Sequence, residues 1–131
     1  MYCRWAPIVE TVSVELTTLL LATLFDFPME DRRKLTRWSD VVFAVPRPGG
    51  VVETRLQKME ELLECLAYFE RLWVERLENP GSDLVSMLAH GEATKDMEPL
   101  DHLGNLLLLI VGGNDTTRNT MMSSVYGLNK Y

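Results

Sequence analysis

The stretch LLLLIVGGNDTTRNTMMSSV, Leu106 to Val125, decides how this chain folds. An apolar run that reads as helix is interrupted by two glycines, an amide, an acid and two threonines. Glycine costs about 1 kcal/mol relative to alanine inside a helix, and a carboxylate beside an apolar run is expensive to bury. Two readings account for the string. In the first, Gly112-Gly113 ends one helix and Asp115 or Thr116 caps the next. In the second the helix runs on, and Gly112 and Thr116 share a face at i and i+4. The bare positions at Gly112 and Gly113 then leave a notch for a planar group. The Thr116 hydroxyl can bond back to the Gly112 carbonyl and loosen the ladder. Asp115, about 100° round the helix from Thr116, is placed to pass protons from another side. A phosphate loop is excluded, because no Gly-Lys-Ser/Thr follows the glycines.

Working upstream, Pro99 suits the first position of this helix. A run from Leu100 to about Leu128 would be ~43 Å long. Between Leu106 and Val111 it is apolar on every side, which predicts a helix buried all round. HGEATKDME is a polar connector, and Ser82 or Asp83 caps a short helix over Leu84 to Ala89. Before it, Leu56, Met59, Leu63, Leu66, Phe69, Trp73 and Leu77 form one helical stripe, with Glu60, Glu64, Arg71 and Glu75 on the wetter face. VPRPGG, Val45 to Gly50, is a loop. A helix over about Asp31 to Phe43 presents Leu35, Trp38, Val41 and Val42. The first helix, Val9 to Phe25, carries Val12, Leu16, Leu19, Leu20 and Phe25 near helical spacing and stops before Phe27-Pro28. Only VVFAV is ambiguous between strand and helix end. The expected fold class is all-α.

The chain has 131 residues, 47% hydrophobic and 24% charged, which suits one domain or a piece of a larger one. A net charge of −6 and a pI near 4.9 argue against a nucleic-acid partner, since no basic stripe exists to displace counterions. The cluster DRRKLTR is flanked by Glu30, Asp31 and Asp40 and reads as a solvated helix face. Cys3 and Cys65 have the spacing of neither a disulfide framework nor a zinc site. His90 and His102 share no helical face with a carboxylate cluster, so no metal site is expected. The run Leu106 to Val111 falls far short of the ~20 residues that span a bilayer. No secretory pattern is present, which fits a reducing cytoplasm.

Gly112-Gly113-Asn114-Asp115-Thr116-Thr117 resembles the Ala/Gly-Gly-x-Asp/Glu-Thr-Thr/Ser signature of the cytochrome P450 monooxygenases. RLENPGSDLVSMLAHGE, Arg76 to Glu92, and VELTTLLLATLFDFPMEDRRKLTRWSD, Val14 to Asp40, are similar to segments that precede that signature in the family. The resemblance runs in order along nearly the whole chain and is weakest over Met1 to Glu10. Within the family, LLLLIVGGNDTTRN is similar to the soluble bacterial alkane hydroxylases.

The resemblance implies a helical fragment of the cytochrome P450 fold, a single partial domain ending with the long central helix that crosses haem b. It implies monooxygenation of an unactivated C–H bond, at the terminal carbon of a medium-chain alkane or fatty acid. By the same carry-over, Thr116 supports proton delivery to dioxygen and Asp115 gates proton access. Gly112, Gly113 and Thr116 border the cofactor, and Leu108, Val111 and Gly112 border the substrate. Molecular oxygen, a ferredoxin and a ferredoxin reductase are the implied partners. WSDVVFAV and PRPGG lie where the family covers its substrate channel. The family's cysteine ligand to iron sits in a loop beyond the central helix, and neither Cys3 nor Cys65 lies in such a loop; both read as inert thiols. The family's Glu-x-x-Arg helix also follows the central helix. Glu30-Asp31-Arg32-Arg33 has that spacing in the wrong place and is expected to serve only helix capping and surface charge. The expectation is therefore an internal fragment that neither holds haem through thiolate nor turns over alone. The rival reading, a cofactor-free helical ligand-binding or interaction module, explains the apolar helices but leaves the glycine–acid–threonine string without a cause.

Overall fold

The computed structural model describes residues 9–130. Every regular element among those residues is helical, with no strand among them. A π-helical segment, Val9–Val14, leads into α1, Glu15–Leu24. Then come α2 (Arg33–Phe43), α3 (Arg55–Glu78), α4 (Leu84–His90) and α5 (Pro99–Val111). A π-helical turn, Gly112–Thr116, joins α5 to α6, Thr117–Lys130. The ambiguous VVFAV is the end of α2 followed by extended chain.

The α1 helix ends at Asp26, whose φ of 49° is left-handed, with Phe27 N–H donating to Ala22 O at 2.8 Å. That closing turn satisfies carbonyls the helix would otherwise leave open. Two caps appear as expected for short polar side chains: Ser86 N–H donates to Asp83 Oδ1 at 3.0 Å, and Gln57 N–H to Thr54 Oγ1 at 3.0 Å. Asp83, not Ser82, is thus the cap of α4.

Two predicted faces are only partly right: Phe25 and Phe69 are buried as read, but most of their stripes are not. On α1, Leu16, Leu19 and Leu20 are exposed, and the buried positions are Thr17, Thr18, Leu21 and Ala22. Because α1 is apolar nearly all round, periodicity does not select a face. Small side chains do, by letting neighbouring backbone come close. The threonine hydroxyls lose nothing by burial, since Thr17 and Thr18 both donate to the Val14 carbonyl. On α3, Leu56, Met59, Leu63 and Leu77 are exposed, while Cys65, Phe69, Leu72 and Arg76 face the core.

The core joins these faces. Phe25, Phe27, Trp38 and Phe69 form edge-on aromatic pairs at 5.7–6.0 Å, backed by Leu106 and Ile110 of α5. Such pairs add about 0.5–1.5 kcal/mol each beyond the area they bury. The basic cluster of α2 is more than a solvated face, because it ties helices together. Arg32 and Arg33 pair with Glu15 of α1, Lys34 with Glu64, and Arg37 clasps both oxygens of Glu61 at 2.7 Å. No helix among the described residues is long and apolar enough to cross a membrane.

Candidate functional site

The glycine–acid–threonine string does not end a helix. Gly112 has φ −62° and ψ −40°, and Thr117 has φ −66° and ψ −45°, so the backbone stays right-handed through the turn. No residue there adopts the extended conformation of a cap, and Asp115 and Thr116 cap nothing. The Thr116 hydroxyl donates to the Gly112 carbonyl, as expected for the continuous reading. Thr120 repeats the pattern on Thr116 O at 2.8 Å, and Ser124 on Thr120 O at 2.9 Å. This ladder of hydroxyl back-bonds widens one side of the helix, where the π-turn takes up an extra residue.

The turn has two faces. On the open one, Leu108 is 69% exposed, Thr116 is exposed, and a Cβ built on Gly112 would meet nothing within 4 Å. Val111 is half-buried at its edge. On the other face, Asn114 is fully buried and Leu106 and Ile110 join the core. Gly113 belongs to this inner face, contrary to expectation. A Cβ there would lie 2.7 Å from Leu21 Cδ2, so its bareness serves close packing on α1 and not the open notch. Between Leu106 and Val111 the helix is buried on one side only within this chain, with Leu108 and Leu109 exposed.

Asp115 lies between the faces and is paired. Arg118 Nη2 donates to Asp115 Oδ1 at 2.9 Å and lies 3.8 Å from Asp40 Oδ1 on α2. Burial pushes the Asp40 carboxyl above its ordinary range; Asp115 adds to the shift and Arg118 opposes it. The sequence marks Asp40 only as an acid flanking DRRKLTR and gives Arg118 no role. The i, i+3 spacing of Asp115 and Arg118 is a readable signal, whereas Asp40 needs the fold. Thr17 was missed as well; its Oγ1 lies 2.9 Å from Asn114 Oδ1.

Cys65 is fully buried between helices, and burial, helped by Glu64, pushes its thiol up to about 12. It stays protonated at neutral pH, and its place in the core keeps it away from the open face of the π-turn. Cys3 lies outside the described residues. A separate recess of about 470 Å³ between α3 and α5 is lined by Leu66, Met97, Leu103 and Leu106, with His102 stacked on Trp73 at 3.7 Å. None of the predicted site residues lines it. His102 is held by Thr94 O at 3.0 Å and His90 by Arg76 O at 2.9 Å.

Comparison with known proteins is consistent along the chain. It is 28% identical over 129 residues to cytochrome P450 119 of Sulfolobus acidocaldarius, covering 98% of this chain and 32% of that protein. It is 33% identical over 115 residues to the steroid C26-monooxygenase of Mycolicibacterium smegmatis, covering 86% of this chain and 26% of the relative. Among solved structures, cytochrome P450-153 from Novosphingobium aromaticivorans superposes with a TM-score of 0.72 at 45% identity, covering 96% of this chain and 29% of that one. The chain thus spans about 30% of the length of its relatives. No family profile matches it.

Proposed function

The chain belongs to the cytochrome P450 family, and on that premise we propose that it carries the proton-handling wall of a haem-dependent monooxygenase. The observation that supports this most is the π-turn, where the Thr116 hydroxyl is tied to the Gly112 carbonyl on an open apolar face. The residues fit a flat apolar cofactor. Gly112 offers bare backbone with no atom within 4 Å of a would-be Cβ, and Leu108 extends the apolar surface one turn earlier. Bound haem would supply the redox chemistry that activates dioxygen. Cys65, fully buried in the hydrophobic core, does not fit as its thiolate ligand.

This chain's part is to hold protons and exclude water. With its hydrogen given to Gly112 O, Thr116 Oγ1 keeps lone pairs free to accept a hydrogen bond from a donor on the open face. Released from the carbonyl, the same hydroxyl becomes a donor at the point where a proton is required. Asp115 can let go of Arg118 without stranding the guanidinium, because Asp40 stands 3.8 Å from it. A freed carboxylate can then ferry protons from solvent toward Thr116. Leu108 and Val111 border the substrate in this reading. Their apolar side chains favour a hydrocarbon, and the medium-chain alkane or fatty acid, oxidised at its terminal carbon, is the substrate we propose. Electrons would come from a ferredoxin and its reductase.

Substitution in a full-length, haem-loaded enzyme that carries this segment tests the reading. Thr116→Ala should keep fold and haem uptake while diverting electrons from product to peroxide. Asp115→Asn should slow all turnover by about a hundredfold, the low end of general acid–base contributions, with product per electron changed less. If Thr116→Ala leaves the peroxide-to-product ratio unaltered, the proton role is lost.

A further inference from the structure

Asn114 lies within the signature string yet has no place on the open face. It is 0% exposed, and its side chain reaches across to α1, where Thr17 Oγ1 lies 2.9 Å from Asn114 Oδ1. The same hydroxyl is 3.0 Å from Ser13 O and 3.1 Å from Val14 O. One hydroxyl proton cannot serve all of these acceptors. The bonding balances if the amide turns its nitrogen to Thr17: Nδ2–H donates to the hydroxyl, and the hydroxyl donates to a carbonyl of its own helix. In either orientation, one end of the amide meets Thr17. The outer end is buried, with no hydrogen-bond partner among the described residues.

Stability alone does not explain a half-satisfied amide at a fully buried position, where an apolar side chain would cost no hydrogen bond. Directional contact does explain it. Gly113 sets how closely the π-turn approaches α1, through Leu21. That contact is apolar and leaves rotation about the helix axis free to slip. A hydrogen bond from the next residue fixes the rotation. Thr116 follows Asn114 by two residues, about 200° round the helix, so an anchor on the inner face determines where the hydroxyl on the outer face points.

We propose that Asn114, through Thr17, is the positioning residue of the π-turn, holding it at the one rotation that presents the Thr116 hydroxyl correctly. The inference rests on the proton role of Thr116 proposed above. Two substitutions on α1 probe it without touching the signature string. Thr17→Val removes the hydroxyl and keeps the shape, and Thr17→Ser keeps the hydroxyl. In the haem-loaded enzyme, Thr17→Val should raise the peroxide-to-product ratio roughly fivefold, the factor equivalent to about 1 kcal/mol. It should also speed amide exchange over residues 112–117. Thr17→Ser should match the unsubstituted enzyme in both readouts. A lowered melting temperature with an unaltered ratio, in an enzyme where Thr116→Ala does uncouple, overturns the positioning role and leaves the proposed function intact. An unaltered ratio in Thr17→Val and Thr116→Ala alike removes both. If Thr17→Val does not fold, Asn114→Ala is read by the same criteria.

Discussion

A Cβ added to Gly113 would lie 2.7 Å from Leu21 Cδ2 and 3.5 Å from Leu21 Cγ, so the π-turn and α1 meet with no room to spare. Leu21 is 2% exposed and its methyl cannot simply swing into solvent. Gly113→Ala should therefore destabilise the protein by about 1 kcal/mol, the low end of overpacking costs, because only the tip of one side chain must move. Gly112→Ala meets no atom and should be neutral or stabilising by up to ~1 kcal/mol, yet should weaken haem uptake. Denaturant melts of the two variants, and haem titration of the full-length enzyme carrying each, check this. Equal destabilisation by both would contradict the assignment of the two glycines to opposite faces.

Arg76 is buried and holds Asp83 at 2.9 Å, Asp26 at 2.8 Å and Glu75 at 2.9 Å, joining α3 to α4 and to the end of α1. Burial alone would raise the Asp83 carboxyl. The Ser86 N–H, the Ser86 hydroxyl and Arg76 outweigh it, and the net shift is downward. A carboxyl lowered by folding contributes stability above its unfolded pKa and loses it as pH falls through the folded value. Asp83→Ala should cost about 3 kcal/mol at neutral pH, the low end for a broken buried pair, since Asp26 and Glu75 remain. The difference from the unsubstituted protein should shrink below about pH 4, where aspartate protonates. Urea melts across pH 3 to pH 7 measure it, and a pH-independent difference would refute the assignment.

The thiol of Cys65, pushed up to about 12, should resist alkylation in the folded protein at pH 8 and react at once in denaturant. Peptide mass spectrometry separates its labelling from that of Cys3. Native labelling of Cys65 on the timescale of a free thiol would show that the α3 core face opens.

Lys58 Nζ donates to Val42 O at 2.9 Å and Ala44 O at 3.0 Å, closing the C-terminal end of α2 from the side of α3. It tethers the start of the segment that includes Phe43 and Val45, both well exposed, while Arg37 Nη2 holds its end by donating to Val51 O at 2.8 Å. Lys58→Met should speed amide exchange over residues 43–51 several-fold while leaving residues 65–77 unaltered. Exchange that rises equally in both regions would mean that Lys58 supports the whole helix pair.

Local chemistry was readable from the sequence wherever one residue type has one physical use. Pro99 at a helix start, Asp83 as a cap and the Thr116-to-Gly112 back-bond all appear in the structure. Thr54-x-x-Gln57, a capping pattern, was there to be read and was passed over. Burial faces were not readable on α1 and α3, because apolar residues occupy too many positions for a period to choose among them. The choice fell to threonines and to Cys65, which allow close approach. Gly113 shows the same limit: adjacent glycines look equivalent in a string, and only the position of Leu21 tells them apart. Asp40 joins Arg118 across 78 residues of chain, a distance that no local pattern spans.

The π-turn at Gly112–Thr116 makes the string tolerant of a length change that the rest of the helix is not. Such a turn is an insertion absorbed without breaking the helix, and losing one residue there would let it close into an ordinary α-helix with its two halves still nearly in phase. Arg118 would keep to the side of Asp40, and the half-buried Met121 and Val125 would stay on the face they share with it. What such a deletion would remove is the widened turn itself, and with it the placement of Thr116 against Gly112. A residue lost outside the turn has no bulge to draw on, and would rotate one half of the long helix against the other by about 100°.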